Sequence, residues 1–482
     1  MFSMIGMDMQ RTTIGNLTEK DIGKEVKIQG WADTIREHGK LIFMDIRDIS
    51  GILQSVAFAG NKDVFAIAKT ISKESCVEMH GKVQARPKGT INENIPTGKI
   101  ELGIDKIEIL NSCPPLPFEL DLKNVGEEVR LKYRYLDLRR KEMQNNLLAR
   151  SKLMKAIREY MDLNGFNEFE TPMLVKSTPG GARNYLVPSR LDAGKFWALP
   201  ESPQLFKQLL MVAGFEKYYQ IARCLRDEDL RSDRQPEFTQ LDVEMSFVNQ
   251  EDVIKLMEGL LKKIWKDVLN VDVKTPFPRM TYKEAMEKHG NDRPDIRKDK
   301  SNPKEFAFLW VVDFPLFQYD KENKKHVANH HPFTSPNMED FKKNPETARS
   351  WGYDIVLNGV EIGGGSIRIH NSEVQQKVFE ILQISKEDQE RKFKFLLDAL
   401  KFGAPPHGGI ALGLDRLMQL LLNTESIRDV IAFPKNTEGK EVMLNAPSEV
   451  TEQQLKDLKI KVDNPKKEDK KEAVKKETKK KK

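Results

Sequence analysis

Arg226 and Glu228 stand at the end of one strand-like run, and Phe238, Gln240, Asp242 and Glu244 recur at every second position of the next, within KYYQIARCLRDEDLRSDRQPEFTQLDVEMSF (217–247). A period of two puts these four side chains on one face of a strand, opposite Thr239, Leu241, Val243 and Met245. If the two runs pair through the polar loop between them, an arginine, several carboxylates, a glutamine and a phenylalanine share one surface. Guanidinium groups grip phosphate or carboxylate, carboxylates hold cations, and an aromatic face accepts a flat ring. Charges alone would serve equally as a solvated sheet face. Phe238 in their midst weighs against that.

A second chemically loaded stretch is YDIVLNGVEIGGGSIRIH (353–370). Asn358-Gly359 between alternating hydrophobics predicts a two-residue hairpin turn that pairs Leu357 with Val360 and Val356 with Glu361. Asp354 then lies diagonal to Glu361 on the same face, roughly 7–8 Å away at Cβ. Two carboxylates so placed suit Mg²⁺, which takes one or two protein carboxylates together with substrate phosphates. Parity alone sends Ser366 and Arg368 to the other face, so a bulge within Gly363, Gly364 and Gly365 is expected to bring them round.

Two further stretches supply charged ends of helices. In ALPESPQLFKQLLMVAG (198–214), Ser202 is placed to cap a helix, Pro203 suits its first turn and Gly214 its stop. Gln204 and Lys207 then share a face near a helix N-terminus, which suits a small carboxylate, although an ordinary amphipathic helix reads the same way. In PPHGGIALGLDRLMQLLL (405–422), Gly408, Gly409 and Gly413 let a ligand approach the backbone, and Arg416 opens the next helix. The stretch fits neither the phosphate-loop pattern, which needs GK[ST], nor the dinucleotide fingerprint. His330 and His331 lie adjacent in NHHPFTSP with no third ligand at metal spacing.

The elements that must position these residues follow from the chain in order. With 482 residues, two or three domains are expected. Five strand candidates, at 26–32, 41–48, 52–58, 76–85 and 99–110, predict a small β-barrel of the oligonucleotide-binding type over residues 1–112. Phe43 on the polar face of LIFMDIRD, with Arg36, Arg47 and Gln54, offers a platform for a stacked base. Residues 113–143 run from proline-rich to charged and read as a hinge. A helix is expected over 144–164, then a strand ending at Thr171-Pro172 and a mobile loop in TPGGARNYLVPSR (178–190). Beyond lie an amphipathic helix at Gln250–Leu269, a polar connector at 290–308 and a buried strand in LWVVDFP.

Composition narrows the setting. No apolar run is long enough to span a bilayer, and the N-terminus carries no charged-then-apolar signal pattern, so a cytoplasmic protein without a membrane partner is expected. Cys76, Cys113 and Cys224 are scattered, which argues against a zinc site or a disulfide framework. Residues 463–482 hold ten lysines against five acidic residues, so +5 of the net +6 sits in a tail too hydrophilic to bury. That tail suits a polyanion such as RNA, or solubility alone.

Taken together, a strand ending in TP, an arginine-loop-phenylalanine strand pair, an Asp/Glu hairpin and a glycine-rich strand ending in Leu-Asp-Arg resemble the three signature motifs of class II aminoacyl-tRNA synthetases. The wording SPQLFKQ, RCLRDEDLRSDRQPEFTQLD, HHPFTSP, GGGSIRIH and GLDRL is similar to the bacterial type of aspartyl-tRNA synthetases. The resemblance implies an α+β chain: an oligonucleotide-binding barrel on a catalytic antiparallel sheet flanked by helices (144–450), with a C-terminal extension at 451–482, assembled as a homodimer. It implies that Arg226 grips the α-phosphate of ATP, with Glu228 near the adenine, Phe238 stacking on it, Gln235 and Glu361 also at the nucleotide, and Arg416 at the γ-phosphate. Asp354 and Glu361 would hold Mg²⁺. Ser202, Gln204, Lys207, Asp242, His330, His331 and Arg368 would surround L-aspartate, Lys207 and Arg368 at its side-chain carboxylate and Asp242 at its ammonium. Phe43, Gln54 and Glu101 match anticodon-reading positions, and Pro172 the dimer interface.

The chain departs from that pattern twice. TPGGARN has Gly180, Gly181 and Asn184 where the related enzymes carry TPEGARD, so a carboxylate of the flipping loop is missing, and only the connector at 290–308 stands where bacterial enzymes carry a large inserted domain. The partner expected is tRNA(Asp), with tRNA(Asn) as a further substrate of a non-discriminating form and an asparagine-specific enzyme as the third reading. An ammonia-dependent asparagine synthetase would have no barrel at 1–112. A non-catalytic RNA-binding relative would have lost Arg226 or Arg416, and a lysine enzyme would not set Lys207 and Arg368 against a cationic side chain.

Overall fold

The computed structural model describes residues 10–122, 124–177 and 183–463, so Gly180, Gly181 and the lysine-rich tail lie outside the described residues. The chain separates into two compact units between Leu122 and Lys123.

In the first unit, β1 (Glu25–His38), β2 (Leu41–Arg47), β3 (Ile52–Phe58), β4 (Cys76–Ala85) and β5 (Ile100–Asn111) close into a barrel in the order β1-β2-β3-β5-β4. Alternation explains the closure. Ile42, Met44 and Ile46 turn inward to meet Ile28, Leu53, Val77, Met79 and Leu102 in one core, while Phe43, Asp45 and Arg47 face out. The barrel is sealed by a short parallel pairing of β3 with β5 and by the helix Lys62–Ala68, which Asn61 caps and which buries Val64 and Ala68. With only seven residues, that helix carries too little periodicity to be read from the sequence.

In the second unit the strands run, in chain order, β6 (Asn167–Glu168), β7 (Leu186–Pro188), β8 (Phe196–Ala198), β9 (Lys217–Leu225), β10 (Glu237–Ser246), β11 (Arg279–Thr281), β12 (Phe308–Val312), β13 (Phe317–Asp320), β14 (Lys325–Ala328), β15 (Gly352–Leu357), β16 (Val360–Ile367) and β17 (His407–Gly413). Eight of them form a sheet of order β11-β12-β15-β16-β17-β10-β9-β6, antiparallel except where the short edge strands β11 and β6 join. Leu241, Val243, Ile355, Ile410 and Leu412 project from one face into a core roofed by the helices Lys141–Leu163 and Gln250–Leu269 through Leu153, Ile157, Met257, Leu261 and Trp265. The even-numbered residues of β10 are thereby forced to the other face.

Local differences from expectation have identifiable causes. The stretch 113–143 is not a free hinge throughout. From Glu127 it forms the helices Glu127–Lys132 and Arg134–Asp137, and the long helix begins at Lys141. Arg134, 2% exposed, ties this segment down by pairing with Asp137 and donating to the carbonyls of Ala432, Arg428 and Ile431 at 2.8, 3.0 and 2.8 Å. The strand before Thr171-Pro172 is only Asn167–Glu168, and the exposed Pro172 lies beyond it. Pro203, not Ser202, occupies the cap of the helix Gln204–Val212, with no side-chain capping bond.

The Asn358-Gly359 hairpin has the expected register, both turn residues having positive φ (53° and 83°). The bulge falls one residue earlier than expected. Val356 pairs with Glu361 but Ile355 with Gly363, leaving Ile362 as the extra residue. Beyond it Asp354 faces Gly364, so Ser366 and Arg368 return to the face that carries Asp354 and Glu361. A Cβ at Gly364 would press on the Asp354 carboxylate and make it shift, so glycine here leaves that carboxylate its place in the cavity.

Arg134→Ala strips a buried charge from Asp137 and three carbonyls of their donor. The expected cost is about 3–5 kcal/mol, read as a lower urea midpoint by tryptophan fluorescence. A change below about 0.5 kcal/mol would show that the segment from Glu127 is not held by this contact.

Candidate active site

The open face of the sheet forms the floor of a cavity of about 630 Å³. Every candidate from the catalytic stretches lines it: Ser202, Gln204 and Lys207 from the helix after β8, Arg226, Glu228 and Gln235 from the loop between β9 and β10, Phe238 and Asp242 from β10, His330 and His331, then Asp354, Glu361, Arg368 and Arg416. Parity, the bulge and one helix N-terminus have gathered residues some two hundred positions apart.

At one end lies a dry lattice of charge. Lys207 Nζ donates to Asp242 Oδ1 at 2.7 Å and stands 3.2 Å from Glu244 Oε2. Arg368 clasps Glu244 with Nε and Nη2 at 3.0 and 3.2 Å, and donates through Nη1 to Ser366 Oγ at 2.7 Å. Two cations and two carboxylates are almost wholly shielded from solvent. Burial pushes the Glu244 carboxyl up, but Arg368 and Lys207 outweigh it and hold its pKa at about 2. For Asp242 burial wins over Lys207, its pKa is raised, and Oδ2 has no hydrogen-bond partner. A carboxylate so exposed to its own desolvation is built for a further cation. His330 and His331 stay neutral, with pKa values pushed down to about 4 and about 3 by burial and by Arg368. Because the Phe333 N–H donates to His331 Nδ1 at 3.3 Å, the ring proton of His331 sits on Nε2.

At the other end two arginines each keep one nitrogen unsatisfied. Arg226 and Arg416 each have a buried Nε with no acceptor. Arg226 lies over the Phe238 ring, 5.0 Å from guanidinium carbon to centroid, and Arg416 Nη1 donates to the Glu361 carbonyl at 2.7 Å. Arg416 Nη2 reaches Asp233 at 3.2 Å and Arg234 reaches Glu228 at 3.3 Å. The charges of the loop 229–235 are expected, from strand geometry alone, to lie too far along to reach this site. Instead the loop folds back onto it. Gln235 uses its amide on the backbone N–H and carbonyl of Lys435, at 2.8 and 3.0 Å, and so fixes the end of that loop.

Between the two ends stand Asp354 and Glu361. The Asp354 carboxyl is raised well above the usual range by burial and by the negative charges of Glu361 and Asp292. Like charges gathered at one wall of the cavity fit a divalent cation held jointly with phosphate oxygens. No cluster of three or more His, Cys, Asp or Glu able to hold a metal alone occurs among the described residues.

Glu244 lay on the face picked out from the sequence but carried no assignment there, because its role depends on Arg368, which is remote in sequence. Asp233 and Asp292, which also line the cavity, carried no local signal. Asn184, where the resemblance leads one to expect a carboxylate, accepts from Ser177 Oγ and donates to Glu201, both at 2.8 Å.

On the barrel, Phe43, Gln54 and Glu101 belong to one polar face. Gln54 and Gln84 donate to Glu101 at 2.7 and 3.1 Å, and Arg36 bridges Asp45 and Gln54 at 2.9 and 3.3 Å. Phe43 and Asp45 lie beside Gln54 across β2 and β3.

Comparison with known proteins bears on both units. Residues 126–437 match the family of tRNA synthetases class II (D, K and N), and residues 26–110 match the OB-fold nucleic acid binding domain. A relative named aspartate–tRNA(Asp/Asn) ligase from Caldanaerobacter subterraneus subsp. tengcongensis is 44% identical over 578 positions, covering 93% of this chain and 98% of its own. One of the same name from Dictyoglomus turgidum is 43% identical over 94% of this chain and 98% of its own. Among solved structures, an asparaginyl-tRNA synthetase from Pyrococcus horikoshii complexed with asparaginyl-adenylate aligns with a TM-score of 0.73 over 88% of this chain and 98% of its own, at 24% identity, a likeness of fold alone.

The Glu244 carboxylate, depressed from 4.5 to about 2, contributes stability that is fully present above pH 4.5 and lost as pH falls towards 2. Glu244→Gln is therefore expected to lower the melting temperature at pH 7 and to flatten its decline between pH 4.5 and the lowest pH at which the protein remains folded. Thermal melts across that range check it, and an unchanged slope would remove Glu244 from the acid response.

Proposed function

Since the chain belongs to the class II tRNA synthetases of the aspartate, lysine and asparagine group, we propose that its cavity activates L-aspartate with ATP and passes the aspartyl group to the 3′ end of tRNA(Asp). The observation that carries this reading is the buried lattice. Lys207 and Arg368 stand ready for a side-chain carboxylate, and the unpartnered Asp242 Oδ2 for an ammonium. A lysine side chain would meet two like charges there, at a cost of several kcal/mol.

In the first step an oxygen of the aspartate α-carboxylate attacks the α-phosphorus of ATP. An O–P bond forms, the bond to the β-phosphate oxygen breaks, and diphosphate leaves. No protein nucleophile or base is required, because the attacking carboxylate is already ionised. Arg226, with its bare Nε, meets charge on the α-phosphate, and Arg416, with its own, meets the leaving diphosphate. Phe238 supplies a face for the adenine, and Glu228 and the anchored Gln235 shape the nucleotide end. Asp354 and Glu361 would hold Mg²⁺, which supplies neutralisation of phosphate charge when bound. In the second step a terminal ribose hydroxyl of the tRNA attacks the carbonyl carbon of the adenylate and AMP leaves. Ser202, Gln204, His330 and His331 complete the wall around the amino acid.

The barrel face of Phe43, Gln54 and Glu101 reads the anticodon, by stacking on Phe43 and by hydrogen bonds from the amide–carboxylate network. Pro172 lies at the interface of a homodimer, and the enzyme works in the cytoplasm, where tRNA is charged. A second reading, in which tRNA(Asn) is also aspartylated, is favoured by the name shared by the relatives at 43–44% identity.

Arg226→Ala is expected to lower aspartate-dependent ATP–diphosphate exchange by about 10³-fold or more. Exchange retained within tenfold would refute the role assigned to Arg226. Phe43→Ala is expected to leave exchange intact and to weaken charging about tenfold, the value of one stacked base. An equal fall in both assays would break the division of labour between the units. Transcripts of tRNA(Asp) and tRNA(Asn) assayed side by side decide between the two readings, and charging of neither would sink both.

A further inference from the structure

Behind the amino-acid end of the cavity runs a chain of three hydrogen bonds, with its central Gln208–His407 link buried. His407 Nδ1 lies 2.8 Å from the Pro405 carbonyl, His407 Nε2 lies 3.0 Å from Gln208 Nε2, and Gln204 Nε2 donates to Gln208 Oε1 at 3.2 Å. Gln208 and His407 are fully buried, and only Gln204, at the head of the chain, lines the cavity. We propose that Gln208 and His407 are positioning residues for aspartate recognition, forming a relay of fixed polarity that holds the Gln204 amide with its carbonyl oxygen towards the substrate ammonium.

The polarity follows from a single anchor. A carbonyl accepts and never donates, so His407 must carry its proton on Nδ1. Burial lowers the His407 pKa, the ring is neutral, and Nε2 is therefore a bare acceptor. Gln208 has to present its NH₂ to that acceptor, which turns its Oε1 towards Gln204. Gln204 has to present its own NH₂ to Gln208 Oε1, because two carbonyl oxygens would repel at that distance. Its Oε1 is thus left as the acceptor for the cavity. An amide on its own flips between two nearly isosteric poses, one offering an acceptor and the other a donor. The relay removes the second pose. Asp242 Oδ2, the other unpartnered acceptor at this end, completes a pair of oxygens suited to an –NH₃⁺ group. The ligand named here rests on the function proposed above; the polarity of the relay does not.

The test separates orientation from general damage. Gln208→Leu deletes both bonds and frees the Gln204 amide. In the full-length enzyme, KM for aspartate in the exchange assay is expected to rise about tenfold, the value of one hydrogen bond to a charged group. KM for ATP and kcat should stay within about twofold. Inhibition by succinate, which has both carboxylates but no ammonium, should be unchanged. Gln208→Glu, whose carboxyl at this fully buried position can keep its proton, donate it to His407 Nε2 and still accept from Gln204, is expected to bring KM for aspartate back to within about threefold of the wild type. His407→Asn, which cannot span the same two partners, carries the same expectation as Gln208→Leu where that variant fails to melt cooperatively. An unchanged KM for aspartate, an equal rise in KM for ATP, or equal weakening of succinate would overturn the proposal. Independently of activity, the ¹⁵N shifts of His407 should report a protonated Nδ1 and a bare Nε2, and the opposite tautomer would overturn the relay. A wild-type enzyme without aspartate-dependent exchange counts against the functional reading, and the tautomer then decides the relay by itself.

Discussion

Four charges share the dry floor between β10, β16 and the helix Gln204–Val212, and each is tolerable only because the others are there. A lone carboxylate or ammonium taken from water into such a site costs several kcal/mol or neutralises itself. Lys207 against Asp242 and Glu244, and Arg368 clasping Glu244, make the floor neutral as a whole. Neutrality has a structural price: β10, β16, β17 and the helix all have to arrive in register before the charges can be buried. The sheet order, the bulge and the glycines that let β16 and β17 approach all serve that arrival. Gly409 shows the tolerance, since a Cβ there would strike the Glu244 carboxylate and the Val243 carbonyl.

The floor is balanced yet unfinished. Asp242 Oδ2 lacks a donor, while the buried Nε atoms of Arg226 and Arg416 lack acceptors. An unmet acceptor lies at the lattice and unmet donors at the two arginines, and the carboxylates Asp354 and Glu361 line the same cavity. A ligand with an ammonium at one end and phosphates at the other, bridged by a divalent cation, answers all three deficits. On the function proposed above, the cavity is pre-organised around the pair of substrates that must react, and aligning them is most of what adenylate formation asks of a protein.

Much of this was legible in the residues alone, for a physical reason. Strands have a two-residue period, so the face carrying Phe238, Gln240, Asp242 and Glu244 could be found without coordinates, and the turn chemistry of Asn358-Gly359 set the hairpin register. What escaped was settled by contacts remote in sequence. The role of Glu244 depends on Arg368, the anchoring of Gln235 on Lys435, and the return of Asp233 to the site on Arg416. The segment after Glu127 resembled a linker because its charges suggest solvent. Arg134 instead turns inward to carbonyls nearly three hundred residues away.

Ile362 contributes no chemistry to the cavity, yet the site depends on its being counted. It is the additional residue that changes the parity of β16, so that Glu361 before it and Ser366 and Arg368 after it face the same way. Here information resides in chain length rather than in side-chain identity. Any apolar residue at 362 preserves the message, whereas removing it inverts every side chain downstream as far as the loop at His370. Across this hairpin, loss of one residue is a far graver change than replacement, and gaps in aligned sequences carry more functional meaning there than mismatches.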